Sequence, residues 1–93
     1  MRAMPNFSVF LSGKAEKGLA KSDPKIKPRL AEAVDELEIN PVPSQKYDVA
    51  KLSGSISNYR IKIIPYRILY TVIWESKEIR VYSIERRKGR TYK

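Results

Sequence analysis

Apolar and polar positions change period twice along the chain, and the changes mark its elements. Asn6-Phe7-Ser8-Val9-Phe10-Leu11 alternates, with Phe7, Val9 and Leu11 on one face, and predicts a first strand. Ser12-Gly13 then opens a short helical segment over residues 13–21, whose modest apolar side is Ala15, Leu19 and Ala20. Ser22-Asp23-Pro24 reads as a helix start. Beyond it Ile26, Leu30, Val34 and Leu37 recur at helical spacing. Pro28 bends the first turn or moves the start to about residue 27. Asn40-Pro41 ends the helix, so residues 13–39 form an αα-hairpin.

Period-two patterning takes over after the stiff connector Pro41 to Lys46. Tyr47 to Leu52 predicts a short irregular strand, and Ser53 to Asn58 a turn. Tyr59–Ile64, Tyr66–Glu75 and Glu78–Glu85 follow as strong strands, punctuated by Pro65 and by Ser76-Lys77. Runs so closely spaced leave no room for crossover helices and must pair antiparallel. The expected fold is α+β: an N-terminal strand, an αα-hairpin, then an antiparallel meander of three to four strands, as one domain over residues 1–93.

Alternation assigns faces. Ile61 and Ile63 lie opposite Arg60 and Lys62. Ile68, Tyr70, Val72 and Trp74 lie opposite Arg67, Leu69, Thr71 and Ile73. In the last run Ile79, Val81 and Ser83 are expected to face away from Arg80, Tyr82 and Ile84. One face of the sheet would thus meet the helices and the other would carry cations beside aromatics.

Charge sharpens that picture. The 93 residues hold 19 Lys and Arg against 10 Asp and Glu, a net +9. Residues 1–58 carry only +2 of it and residues 59–93 carry +7. Concentrated positive charge attracts polyanions, nucleic acid above all. The alternative reading is a solubilising surface with a basic tail. Absence of Cys removes disulfides and thiol chemistry, and absence of His removes the usual proton shuttle. No apolar run reaches the roughly 20 residues of a membrane span, and none near the N-terminus suits a signal peptide, so a cytoplasmic protein without membrane contact is expected. Asp35, Glu36 and Glu38 read as the solvated face of a helix, so no metal and no cofactor is expected.

What remains is a cationic and aromatic set: Lys51, Arg60, Lys62, Arg67, Arg86, Arg87, Lys88, Arg90 and Tyr92. RNA is the substrate such a set could cut, because the 2′-hydroxyl is its own nucleophile. Arginines can neutralise the pentacoordinate phosphorane. A lysine or tyrosine serves as base only where neighbouring cations lower a pKa that starts near roughly 10. Unrelated surface charges are the competing explanation.

The strings Leu52-Ser53-Gly54, Tyr59-Arg60-Ile61-Lys62-Ile63, Tyr66-Arg67-Ile68-Leu69-Tyr70, Glu78 to Ile84 and Arg86-Arg87-Lys88-Gly89-Arg90-Thr91-Tyr92 resemble the RelE/ParE superfamily of toxin–antitoxin toxins, the archaeal RelE type in particular. The resemblance spans nearly the whole chain and implies a type II toxin that cuts mRNA in the ribosomal A site without metal, inhibiting translation. It assigns Arg60 and Lys62 to the scissile phosphate, with Lys62 the candidate base, and Arg67 to transition-state charge. Arg87 matches the arginine that supports leaving-group departure, with Arg86 its one-residue competitor, and Tyr92 matches the tyrosine that positions the target nucleotide. Lys51, Arg86, Lys88, Arg90 and Lys93 become RNA contacts. Pro65 stands where the family often has Gly or Asp. The implied partners are mRNA, the ribosome with its rRNA, and an acidic RelB-like antitoxin. A ParE-like topoisomerase inhibitor and a non-catalytic RNA- or antitoxin-binding relative remain alternatives.

Overall fold

Seven elements form in the computed structural model, which describes residues 6–87. They are β1 (Ser8–Leu11), α1 (Gly13–Ala20), α2 (Lys27–Glu36), β2 (Asp48–Lys51), β3 (Asn58–Ile63), β4 (Tyr66–Ile73) and β5 (Glu78–Arg86). The order is the expected α+β one. The strands make a single sheet, β1-β5-β4-β3-β2. From β2 to β5 every pairing is antiparallel, as short connections require. β1 pairs parallel with β5, Ser8 opposite Glu78 and Leu11 opposite Val81. Both helices and the three strands β2 to β4 lie between β1 and β5 in sequence, ample chain for the long connection a parallel pair needs.

Local chemistry sets the helix ends. Ser12 caps α1, its Oγ accepting from the Ala15 amide at 3.0 Å. α2 starts at Lys27, with Pro28 in its first turn, where a missing N–H costs nothing. The Ser22-Asp23-Pro24 signal instead builds the turn before it, where Asp23 Oδ1 accepts from the Lys25 amide at 2.8 Å. Gly18 lets α1 lie directly on β5, since a side chain there would run into the backbone carbonyl of Ile84.

The core lies between the helices and one sheet face. Ala15, Leu30, Ala33, Val34 and Leu37 from the helical layer meet Tyr59, Ile61, Ile63, Tyr66, Ile68, Tyr70, Val72, Ile79, Val81 and Ile84. Three tyrosines organise the inner face. Tyr59 stacks on Tyr70 with ring centroids 5.7 Å apart. The Tyr70 hydroxyl donates to the Pro41 carbonyl at 2.8 Å, and the Tyr66 hydroxyl accepts from the Asp23 amide at 2.8 Å. These phenols fasten both ends of the α2 segment to the sheet and satisfy their own polar tips.

Three face assignments change. Simple alternation put Ile84 with Arg80 and Tyr82, and Ser83 with Ile79 and Val81, yet Ile84 is buried beside Ile79 and Val81 while Ser83 pairs with Leu69 on the opposite face. The cause is an irregularity in β5: Leu69 pairs with Ser83 but Tyr70 pairs with Val81, so Tyr82 is an extra residue. Past it, the faces of β5 are exchanged. Trp74 lies beyond the end of β4 and does not join the core; half-exposed, it meets Phe7 edge to face at 5.8 Å.

Gly18→Ala is expected to destabilise the protein by about 1–3 kcal/mol, because backbone rather than a flexible side chain blocks the new methyl; denaturant unfolding measures it. Burial drives the Tyr70 phenol above its ordinary 10.0, with Tyr59 adding to the rise. The folded chain therefore holds that proton after the unfolded chain has released it, and stability falls as pH climbs past 10. Tyr70→Phe is expected to lose about 1 kcal/mol at pH 7, with its hydrogen bond, and to show a shallower decline above pH 10 than the parent in urea melts.

Candidate functional site

The outer face of the sheet, away from both helices, is where the Tyr-Arg repeats place their cations. In each repeat the tyrosine points into the core and the arginine takes the opposite face: Tyr59 and Tyr66 are buried while Arg60 and Arg67 are partly exposed. Strand register then aligns the polar side chains into rows. Asp48 on β2 pairs with Lys62 on β3, Lys62 with Arg67 on β4, and Arg67 with Glu85 on β5. The row reads acid, base, base, acid. The adjacent row runs Ala50, Arg60, Leu69 and Ser83.

Two like charges directly opposite on neighbouring strands repel, and the acids at either end of the row offset that. Arg67 Nε donates to Glu85 Oε2 at 3.1 Å. The other oxygen, Glu85 Oε1, accepts from the Ser83 hydroxyl at 3.1 Å. Ser83 is only 2% exposed, so this carboxylate is held on a buried partner. On the far side Asp48 serves two cations: Arg60 Nη1 lies 3.5 Å from Oδ1, and Lys62 Nζ lies 4.0 Å from Oδ2. Arg60 also donates to the Asp48 carbonyl at 3.3 Å, which ties its guanidinium toward the sheet edge. Exposed ion pairs of this kind add little stability, about 0–1 kcal/mol each. Their effect is to orient side chains.

The extra residue in β5 turns Arg86 away from this face. Unbroken alternation from Val81 would have turned Glu85 and residue 87 toward the helices and Arg86 outward. With Tyr82 inserted, Ser83 and Glu85 share the face of Leu69 and Arg67. Arg86 pairs with Tyr66 and stands over its ring, the guanidinium carbon 5.9 Å from the centroid. Arg87, the next position, lies just past the end of β5 and donates its backbone N–H to the Pro65 carbonyl at 2.7 Å. Pro65 sits in the two-residue turn between Ile63 and Tyr66, preceded by a cis peptide bond, and Arg67 keeps its place in β4.

The structure thus brings Arg60, Lys62 and Arg67 to one face, leaves Arg87 just past the end of β5, and separates others from that face. Lys51 pairs with Tyr59, a core-facing residue, so the expected RNA contact lies on the helix-side face at the sheet edge. Arg86 belongs to the Tyr66 side rather than the cation face. Lys88, Arg90, Tyr92 and Lys93 fall outside the described residues. Asp48, Ser83 and Glu85 escaped the sequence reading, which collected cations and passed over the acids that hold them. The clue for Glu85 is the parity of apolar positions in β5, odd at 79 and 81 but even at 84.

Among the described residues no group of acids could hold a metal ion, and no helix is long and apolar enough to cross a membrane.

Comparison with known proteins meets the same fold. Residues 9–90 match the family described as ParE toxin of type II toxin–antitoxin system, parDE. The RelE1 protein of Methanocaldococcus jannaschii is 32% identical over 83 residues, covering 89% of this chain and 92% of its own length. The archaeal RelE–RelB complex from Pyrococcus horikoshii contains a chain with 33% identity and a TM-score of 0.79, covering 92% of this chain and 99% of that one. The isolated E. coli RelE toxin superimposes with a TM-score of 0.72 at 24% identity, covering 91% and 88% of the two chains, a likeness of fold. A family match over most of the length, a relative above the identity at which families are secure, and a sheet carrying the Tyr-Arg repeats agree, and the chain belongs to the RelE/ParE family of type II toxin–antitoxin toxins.

Proposed function

We propose that this toxin is a ribosome-dependent endoribonuclease that cleaves mRNA in the A site through its 2′-hydroxyl. The observation that carries the reading is the gathering of Arg60, Lys62 and Arg67 on one open sheet face, with Lys62 and Arg67 directly opposite each other at its centre. Neighbouring strands at about 4.8 Å give such a pair the spacing to take two oxygens of one phosphate.

In the proposed reaction the 2′-oxygen attacks phosphorus in line with the 5′-oxygen. The O2′–P bond forms, the P–O5′ bond breaks, and a cyclic phosphate and a 5′-hydroxyl result. Lys62 is the candidate acceptor of the 2′ proton. Arg67 and Arg60 meet the growing negative charge on the non-bridging oxygens. Arg87 stabilises the departing 5′-oxygen, which takes its proton from water, and Tyr92 holds the target nucleotide by stacking. Lys88, Arg90 and Lys93 extend the contact to mRNA or rRNA backbone, and Lys51 reaches it only from the sheet edge. The ribosome completes the site by presenting the message, which places the activity in the cytoplasm, and one domain suffices for it.

The partner class follows from the same charge. RelE chains form complexes with RelB in the crystal structures from Pyrococcus horikoshii and E. coli, and an acidic RelB-like antitoxin would neutralise the +7 carried by residues 59–93. The ParE description of the matched family favours a second reading, inhibition of a topoisomerase.

Mapping new mRNA 5′ ends on translating ribosomes separates the two. Wild-type protein is expected to cut within the A-site codon. Arg67→Ala and Arg87→Ala are each expected to slow cleavage by about a hundredfold or more, the scale for removing a group that meets transition-state charge. Intact message with accumulating DNA breaks would instead establish the topoisomerase reading.

A further inference from the structure

We infer that Glu85 is a positioning residue for RNA cleavage, fixing the Arg67 guanidinium in the orientation that meets the scissile phosphate; the inference rests on the ribonuclease reading above. A carboxylate beside a phosphate-binding arginine weakens the site's pull on a polyanion. On a surface built from cations such a group is a handicap for binding alone. Its geometry suits another task. Glu85 Oε2 takes only the Nε–H of Arg67, at 3.1 Å. No acceptor among the described residues contacts the two terminal nitrogens, the edge of the fork that pairs with phosphate.

The carboxylate is itself held. Glu85 Oε1 accepts from the hydroxyl of Ser83, which is 2% exposed, and Arg67 and Glu85 are directly opposed across β4 and β5. The chain of support runs from a buried serine to an acid to an arginine and ends at the substrate. A long arginine side chain has many rotamers. Locking one of them before substrate arrives removes that ordering from the reaction step. The tie acts on rate more than on affinity, because removing the negative charge strengthens attraction to RNA while the loss of orientation slows the chemistry.

The test is single-turnover mRNA cleavage on programmed ribosomes, varying toxin concentration, with Glu85→Gln, Glu85→Ala and Ser83→Ala. Glu78→Gln serves as control, since Glu78 pairs with Arg80 at the other end of β5. Glu85→Ala is expected to lower the saturating rate by about tenfold or more, the effect of losing a charge-assisted hydrogen bond, with an unchanged or smaller half-saturating concentration. Glu85→Gln keeps an acceptor for Nε–H in nearly the same volume, so it folds and should recover most of the rate. In an Arg67→Ala background Glu85→Ala should cost nothing more. The Arg67 Nε–H proton, followed by NMR on the isolated protein, should be protected from exchange in wild type and lose protection in Glu85→Ala.

A saturating rate for Glu85→Ala within about twofold of wild type, or a further loss in the Arg67→Ala background, overturns the inference while leaving the ribonuclease reading intact. So does a loss confined to half-saturation, or Glu85→Gln as slow as Glu85→Ala. Wild-type protein that cuts no message on ribosomes overturns both.

Discussion

β5 must serve two surfaces whose demands differ in parity. Its first half turns Ile79 and Val81 toward the helices, and its second half must put Ile84 into the same core while presenting Glu85 outward. A strand of strict alternation cannot do both, since 79, 81 and 84 do not share a face. The single extra residue at Tyr82 reconciles them, and the Tyr82 carbonyl is taken up by Ser12 Oγ at 3.2 Å. The same serine caps α1. Helix start, strand irregularity and outer polar row are therefore one construction, and Gly18 against the Ile84 carbonyl shows how closely the helix follows it.

The outer face is electrostatically organised as well as basic. Lys62 and Arg67 would repel each other if alone, but Asp48 and Glu85 close the row at both ends. The result is a central pair of cations between anchored acids. Such a face has local direction, which a field of solvated lysines lacks. Long-range attraction from the net +9 brings a polyanion near, and the row determines where its phosphates settle in the proposed function.

Much of this could be read from residues. The Tyr-Arg repeats announced both faces of β3 and β4, because Tyr59, Ile61 and Ile63 against Arg60 and Lys62 is an unbroken period of two. The αα-hairpin followed from Ile26, Leu30 and Val34, and of the two effects Pro28 allowed, a bent first turn or a later start, the structure takes the start at Lys27. The parallel seat of β1 was not legible: Val9 and Leu11 demand a covered face but do not name the strand beside them. Nor was the irregularity in β5, since Val81-Tyr82-Ser83-Ile84 suits either parity until packing against α1 chooses. Glu85 and Asp48 were hidden for the same reason. Their role depends on register across strands, which local pattern does not encode, and the facing of Lys51 was not legible because an edge strand of four residues gives weak evidence of it.

The parallel pairing of β1 with β5 has a consequence for how the molecule comes into being. Ser12 and Tyr82, which touch, are 70 positions apart, so the opening strand has no strand to pair with, and the first helix lacks its main seat, until the final strand has been made. Segments emerging early from a translating ribosome must wait, unlike those of proteins whose neighbours in sequence are neighbours in space. The outer polar row, too, lacks Glu85 until then. A chain still being synthesised is thus without both the partner of its opening strand and the acid that holds Arg67, and the two arrive together.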